Sequence, residues 1–337
     1  MVEVVIEAAG LGNAIMDALI RVDDDAVLAE LGLTRGQMHP VDHHRWHAVY
    51  ERLKGHGVEV HSGGSCANTM ATMALCGANV CYCGQIGDDA FGNLYAESML
   101  STCGRHALVR TTHQVTGKCL SLISRVDGER TMLTDLGAAV HLPSIGQFAD
   151  TIRNARLLHL TGYLFLGGPV REAAFEAIAV AEAAGVPISL DVADPFVART
   201  IRDDIEALLK DHINVAFLNR EEAEHVTGVG AYPAVDVLAK WVDVAVVKLG
   251  GEGSLVHTKG HTWKIPVFPT RVADTTGAGD AYAGGFLYGW LRGWSPYRSG
   301  ELGSRVASLT VGQVGAVCRD RAAMRLARET AERSDLL

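Results

Sequence analysis

Predicted strands and helices alternate through the second half of this chain. Short β-branched runs end at polar residues, and amphipathic stretches separate them. Such alternation predicts right-handed βαβ units and hence a doubly wound α/β fold, with a mainly parallel sheet and helices on both faces. Ligands of these sheets bind beyond the carboxyl ends of the strands. The predicted strands are residues 157–160, 188–191, 215–218 and 244–248, and the predicted helices are 170–184, 201–210 and 221–226.

Two segments do not follow this alternation. Residues 2–11 form another predicted strand, but the segments at about 14–60 and 110–140 contain predicted short helices, at 23–31 and 39–53, and a hairpin. The pair of Asp127 and Gly128 between two β-rich runs is a strong hairpin signal. We therefore expect a single domain over residues 1–337, in which these two segments build a small β-containing lid.

Charge and cysteine content exclude several classes of function. The chain has 30 Lys and Arg residues against 39 Asp and Glu residues, with a net charge of −9 and no basic block. Nucleic acid and anionic membrane are therefore poor partners. The seven cysteines include no CxxC pair, which argues against a disulfide framework or a zinc ribbon, and no apolar run is long enough to span a membrane. We expect a cytoplasmic protein that is monomeric or homodimeric.

The segment from Asp274 to Asp280 carries the most specific chemical signal. Its glycines stand directly before a small-residue helix, so the backbone N–H groups of Gly277, Ala278 and Gly279 are predicted to converge on an anion at the helix N-terminus. Asp280 would then accept the proton of an attacking hydroxyl while these amides hold a phosphoryl group. We expect a low pKa for Asp280 at this position. The alternative is that Asp280 is only a favourable first-turn acid.

Missing motifs narrow the choice of enzyme class. The chain has no GxxxxGK[ST] sequence, no complete GxGxxG after a strand and no GxSxG. A Walker-type nucleotidase, a dinucleotide dehydrogenase and an α/β hydrolase therefore become unfavourable interpretations.

Three segments together resemble the two signatures of the ribokinase-like (PfkB-type) carbohydrate and nucleoside kinases. They are Gly63-Gly64-Ser65 with Asn68, the run from Gly84 to Gly92, and the run from Asp274 to Asp280. The resemblance extends over about residues 4–315 and implies ATP-dependent phosphoryl transfer. It also implies that Asp280 is the catalytic base and that Gly277, Ala278 and Gly279 form the anion hole.

The donor side of the predicted site includes an Asn219-x-x-Glu222 element. An amide and a carboxylate on the first turn of a helix suit Mg²⁺ bound through water. The same spacing is also that of a capping box, which is the structural alternative. The family resemblance favours the magnesium interpretation and leaves dependence on K⁺ open. By the same resemblance, the residues along ATP are Asn219, Lys248, Gly250, Gly251, Gly253, Thr276, Gly277 and Gly279.

The acceptor side is predicted from polar and glycine residues at strand ends. Asp17 and Asn68 suit a vicinal diol, whose recognition requires buried polar groups, and glycine lets a sugar approach the backbone. The complete predicted acceptor set is Asn13, Asp17, Gly63, Gly64, Ser65 and Asn68. Arg130, after the lid hairpin, is expected to reach the phosphates and stabilise transition-state charge. The alternatives are an exposed Asp17 and a solvated hairpin arginine.

Within the family, the Gly12-Asn13 and Asp17 pattern and the long lid insert resemble the adenosine kinase branch. We therefore expect 5′-phosphorylation of a nucleoside, with adenosine as the acceptor. The alternative is a sugar kinase of the ribokinase, fructokinase or 2-keto-3-deoxygluconate kinase type, and the third hypothesis is a non-catalytic nucleoside or sugar sensor. A base needs an apolar slot, and the candidate walls are Trp46, Tyr50, Tyr163 and Phe165.

Overall fold

The computed structural model describes residues 5–23, 26–126 and 129–334. Its strands are β1 (Ala8–Leu11), β2 (Ile15–Val22), β3 (Met38–Pro40), β4 (Glu59–Gly63), β5 (Val80–Gly87), β6 (His106–Thr111), β7 (Gly117–Ser124), β8 (Arg130–Asp135), β9 (Leu158–Thr161), β10 (Ile188–Asp191), β11 (Val215–Asn219), β12 (Val244–Lys248), β13 (Ser254–Thr258) and β14 (His261–Ile265). Its helices are α1 (Ala26–Glu30), α2 (His43–Leu53), α3 (Ser65–Cys76), α4 (Ala90–Cys103), α5 (Ala149–Arg153), α6 (Pro169–Ala183), α7 (Pro195–Thr200), α8 (Arg202–Asp211), α9 (Arg220–Thr227), α10 (Ala231–Leu238), α11 (Ala278–Leu291), α12 (Pro296–Val311) and α13 (Arg321–Arg333).

The larger sheet confirms the predicted doubly wound architecture. Over the described residues, its strand order is β14-β13-β12-β11-β10-β9-β1-β5-β6, and the pairs from β12 to β6 are all parallel. β13 and β14 add an antiparallel edge. The continuous apolar run of β12 is buried, as parallel strands covered on both faces require.

Register brings three polar strand ends to one edge of this sheet. Asp191, Asn219 and Lys248 are the last residues of β10, β11 and β12. Asn219 lies opposite Lys248 in the parallel ladder. The carboxyl edge therefore collects an acid, an amide and an amine where ligands of such sheets bind.

Close packing of α11 on α3 positions the start of α11. A Cβ on Gly284 would lie 2.7 Å from the Cβ of Thr72, and a Cβ on Gly285 would lie 2.9 Å from the Cα of Gly303 on α12. Only glycine permits such approaches. The small-residue helix that the sequence predicts therefore serves to bring its first turn against the first turn of α3.

The second sheet forms the lid, in the order β3-β8-β7-β2-β4. One face packs under α2, where Trp46 is fully buried against Ile20 and Leu120. Because side chains alternate along a strand, Asp17 lies on the face opposite Ile20. Asp127 and Gly128, predicted to form the hairpin turn, lie outside the described residues, but β7 and β8 on either side of them pair antiparallel.

Several elements differ from the sequence expectations. β2, which lies between β7 and β4 in the lid sheet, was not predicted, because Ile15–Val22 is a short apolar run compatible with a helix or a strand. The predicted helix at 201–210 is α8, and a separate α7 precedes it, since Asp194 caps α7 and Pro195 follows at its first position. The predicted helix at 23–31 corresponds to α1, while Asp24 and Asp25 lie outside the described residues.

None of the helices in the described ranges is long and apolar enough to cross a membrane.

Candidate active site

The N-terminus of α11 is shaped by one glycine in a left-handed conformation. Gly277 has φ +71°, and a Cβ there would lie 2.3 Å from the carbonyl oxygen of Ala316. The N–H of Ala278 donates to the Thr275 carbonyl at 3.2 Å, whereas those of Gly277 and Gly279 have no partner among the described residues. The turn therefore presents unpaired amides at a positive helix end, which suits an anion.

Asp280 lies beside these amides and is held by α3. Its carboxylate accepts from the Ser65 hydroxyl at 2.6 Å and from the Asn68 amide at 2.8 Å. Burial raises the pKa of Asp280 to about 6, although both hydrogen bonds oppose the shift. The expectation of a low pKa is therefore wrong, because burial outweighs the favourable helix terminus. A carboxylate with this pKa is suited to act as a general base near neutral pH.

A buried lysine lies at the carboxyl edge beside the same turn. The Lys248 amine donates to Asp191 at 2.7 Å, and it lies 3.0 Å from the position of a Cβ on Gly279. Burial alone would lower the pKa of Lys248, but the carboxylates of Asp191 and Glu222 raise it above its usual value. The amine is therefore a fixed positive charge over the α11 N-terminus.

Asp191 and Glu222 are the counter-charges of this lysine, and both are 1% exposed. Burial raises the pKa of Glu222 to about 7, although Lys248 opposes the shift. Sequence reasoning missed Asp191, and the available signal was its place at the end of the predicted strand 188–191.

The Asn219 and Glu222 pair forms the capping box of α9. Glu222 accepts from the Asn219 backbone N–H at 2.8 Å, and Asn219 Oδ1 accepts from the Glu222 N–H at 2.9 Å. No group of three or more His, Cys, Asp or Glu residues that could hold a metal is found in the described ranges. The capping box, which was the structural alternative, is thus present, and the binding of magnesium here stays a prediction.

The predicted ATP loop after β12 contains two kinds of glycine. Gly253 has φ +93°, and a Cβ there would lie 2.0 Å from the Ile265 carbonyl, so this glycine is required by the β13–β14 hairpin. A Cβ on Gly250 or Gly251 would meet nothing within 4 Å. These two positions border open space that a ligand can occupy, while Thr276 lies on the wall of the neighbouring cavity.

On the acceptor side, Asp17 of β2 lies directly over the glycine turn that leads into α3. A Cβ on Gly63 would lie 2.1 Å from Asp17 Oδ2, and one on Gly64 would lie 2.3 Å from the Asn13 carbonyl. Burial raises the pKa of Asp17 to about 7; the Arg130 guanidinium opposes the shift and Asp280 adds to it. Asn13 Oδ1 is buried without a partner in the described residues. The predicted acceptor residues therefore converge, with unused hydrogen-bonding capacity.

A cavity of about 650 Å³ extends from Asp17, Asn68 and Thr276. None of the described residues that line it is Phe, Tyr or Trp. Its walls are aliphatic and hydroxylic, and include Met16, Leu19, Ala71, Leu75, Ser98 and Thr102.

The aromatic residues predicted as walls lie elsewhere. Trp46 stacks on Tyr50 in the lid core with ring centroids 4.9 Å apart. Phe165 is buried in the core that packs against the larger sheet. Tyr163 donates to Asp194 at 2.8 Å. Phe196, two residues after Asp194 and not predicted, is 48% exposed beyond the carboxyl end of β10. It is the exposed aromatic side chain nearest in sequence to the polar strand ends.

Arg130 reaches from β8 to the loop before α11. Its guanidinium pairs with Asp274, and the two side chains are 20% and 7% exposed. The structure therefore places Arg130 on a carboxylate in the glycine-rich segment, and not on the free amides of Gly277 and Gly279.

The cavity wall also carries arginines that sequence reasoning missed. Arg319 lies 3.0 Å from His61 Nε2, and neither Arg319 nor Arg321 has an acidic partner within 4.0 Å among the described residues. Burial and the nearby Arg319 lower the pKa of His61. No motif marks these arginines, because they meet the lid only through folding.

Comparison with known proteins places this geometry in a family. Residues 38–320 match the pfkB family carbohydrate kinase profile. A 5-dehydro-2-deoxygluconokinase from Geobacillus thermodenitrificans is 29% identical over 262 residues, covering 74% of this chain and 78% of that protein. The adenosine kinase of Saccharomyces cerevisiae is 28% identical over 277 residues, covering 75% and 78%. The solved adenosine kinase from Sinorhizobium meliloti is 29% identical with a TM-score of 0.86, covering 97% of this chain and 100% of that one.

Proposed function

The chain belongs to the pfkB family of carbohydrate kinases, and on that premise we propose that it transfers the terminal phosphoryl group of ATP to the 5′-hydroxyl of a nucleoside, with adenosine as the preferred acceptor. One observation carries the proposal: the Asp280 carboxylate lies beside the unpaired amides of Gly277 and Gly279 at the start of α11. A base next to an anion site is what transfer of a phosphoryl group to a hydroxyl requires.

In this proposal each group has a separate task. Asp280 accepts the proton of the attacking hydroxyl, and Ser65 and Asn68 fix the orientation of its carboxylate. The Gly277 and Gly279 amides stabilise the transferring phosphoryl, and the Lys248 amine adds a positive charge on the same side.

In this proposal Mg²⁺ binds at the carboxyl edge of the larger sheet, beside Asn219 and Glu222. Mg²⁺ bound with ATP neutralises charge on the phosphates. Glu222 and Asn219 would hold its waters, since an amide and a carboxylate on one helical turn suit Mg²⁺ bound through water. Lys248 and Asp191 set the local charge there whether or not the ion is bound.

The nucleoside interpretation is supported by the hydrogen-bonding groups of the acceptor site. Asp17, Asn68 and Asn13 Oδ1, which has no partner among the described residues, offer hydrogen bonds to ribose hydroxyls. The exposed ring of Phe196 lies outside the cavity lining, beyond the carboxyl end of β10, and offers a stacking face for a base there. Similarity to the adenosine kinase from Sinorhizobium meliloti supports the same choice.

A carboxylated sugar is the second candidate acceptor. The specific observation in its favour is that Arg319 and Arg321 line the cavity without an acidic partner among the described residues, so an anionic group would find charge-assisted hydrogen bonds there. The similar 5-dehydro-2-deoxygluconokinase from Geobacillus thermodenitrificans is named for an acceptor of this chemical type.

An acceptor panel tests the proposal. ADP release is measured with ATP and, in turn, adenosine, inosine, cytidine, ribose, fructose and 2-keto-3-deoxygluconate. The highest kcat/KM is expected for adenosine, and a preference for the keto acid would replace it with the second candidate. Thermal stabilisation by a ligand without ADP release would instead support the sensor hypothesis.

A further inference from the structure

The ion pair between Arg130 and Asp274 joins the lid to the loop that precedes the anion hole. Arg130 is the first residue of β8, and Asp274 is 144 residues further along the chain. At 7% exposure, the Asp274 side chain is nearly out of water and depends on its partners to remain charged. Breaking this contact between the lid and the loop would therefore leave a nearly buried carboxylate without its cation.

Asp274 holds more than the arginine. Its Oδ1 accepts from the Thr276 N–H at 3.0 Å, and its Oδ2 accepts from the Gly315 N–H at 2.9 Å. Burial would raise the pKa of Asp274, but these N–H groups and the Arg130 guanidinium hold it below its usual value. One carboxylate thus connects the lid, the glycine-rich loop and the segment after α12.

These contacts lie on both sides of the Gly277 turn. Thr276 directly precedes Gly277, and Ala316, the neighbour of Gly315, has its carbonyl 2.3 Å from the position of a Cβ on Gly277. A displacement of Asp274 would therefore shift both boundaries of the turn that aims the Gly277 amide.

We propose that Asp274 is a positioning residue that couples the lid strand β8 to the shape of the anion hole, and that Arg130 acts through it. With Arg130 in place, the guanidinium neutralises Asp274 and fixes the Thr276 and Gly315 amides. Without Arg130, the carboxylate loses its cation and the turn is less constrained. The catalytic meaning of this coupling rests on the proposed kinase function, whereas the structural coupling does not.

Hydrogen exchange of the ligand-free protein tests the coupling without any substrate. In Arg130→Gln, the Thr276 and Gly315 amides should exchange about tenfold faster than in the wild type. Arg130→Lys should restore part of the protection, because it restores a cation. Arg125→Gln is the matched control, since Arg125 belongs to the same lid but pairs with the exposed Asp23. Unchanged exchange at Thr276 and Gly315 in Arg130→Gln would overturn the proposal.

A double-mutant cycle tests its catalytic side. Arg130→Gln and Asp274→Asn should each lower kcat by about tenfold or more with little change in acceptor KM, and the double variant should be about as slow as the slower single variant. If Arg130→Gln costs the same factor in the Asp274→Asn background as in the wild type, Arg130 does not act through Asp274. A wild type that phosphorylates no acceptor, while the exchange result holds, would reject the proposed function and leave the structural coupling standing.

Discussion

The two ends of the proposed active site are built in opposite ways. At the start of α11 the charged groups are enclosed and partnered: Lys248 lies on Asp191, and Asp280 lies on Ser65 and Asn68. At the cavity wall beside His61, Arg319 is exposed and has no acidic partner in the described residues. The transfer end is thus organised before any ligand arrives, whereas the acceptor end leaves charge for a ligand to satisfy.

The largest effect on turnover should follow replacement of Asp280, the proposed base at the start of α11. Asp280→Asn keeps the shape of the side chain and both of its neighbours but cannot accept the hydroxyl proton. We expect kcat to fall by about 10³-fold, within the range for loss of a general base, while equilibrium binding of ATP and adenosine changes little. Steady-state kinetics and calorimetry measure the two quantities.

Asp203→Asn is the matched control for this variant, because Asp203 is also in the first turn of a helix but is almost fully exposed. It should keep wild-type turnover. Retention of turnover in Asp280→Asn would show that Asp280 is only a helix-capping acid.

The same contrast explains what could be predicted from sequence. Asp280 and the glycine turn lie within one continuous segment, so the sequence predicts them together, whereas Asp191 and Lys248 end separate strands and Asp191 was missed. The cavity is assembled from β2, α3, α4 and the segment that contains Arg319. The sequence predicts Asp17 and Asn68 there, but no pattern reports that Arg319 joins them, and the burial that sets the pKa of Asp280 depends on tertiary packing.

A second test asks whether the partnered charges also stabilise the fold. Lys248→Met leaves Asp191 and Glu222, each 1% exposed, without their cation. Loss of one partner of a buried ion pair costs about 3–5 kcal/mol, and we expect a fall of this size in the free energy of unfolding measured with urea.

Lys210→Met is the matched control, because the Lys210 pair with Glu206 is exposed on α8. Such an exposed pair contributes little to stability, so the free energy of unfolding should hardly change. Equal losses in the two variants would contradict the distinction between an enclosed and an open region of the molecule.

The pH dependence tests the burial of the two carboxyl groups. The raised pKa values, about 6 for Asp280 and about 7 for Asp17, mean that both groups lose their charge as the pH falls through these values. If both work as carboxylates, kcat/KM for adenosine should decline below about pH 7 and more steeply below about pH 6. Asp17→Asn should remove the upper step and keep the lower one. A decline only near pH 4, the ordinary range for carboxyl groups, would contradict the argument from burial.

The smallest effect is expected at the open end, and it decides between the two acceptors. Arg319 is exposed and contacts His61 of the lid, so Arg319→Gln should leave kcat unchanged and alter the KM for adenosine by less than about twofold. For a carboxylated sugar the same variant should raise KM by about fivefold, since an exposed charge pair contributes up to about 1 kcal/mol. Arg153→Gln, which changes an exposed arginine of α5, is the control and should change neither KM. A large fall in kcat with adenosine would mean that the open end takes part in phosphoryl transfer, and the contrast between the two ends would then be wrong.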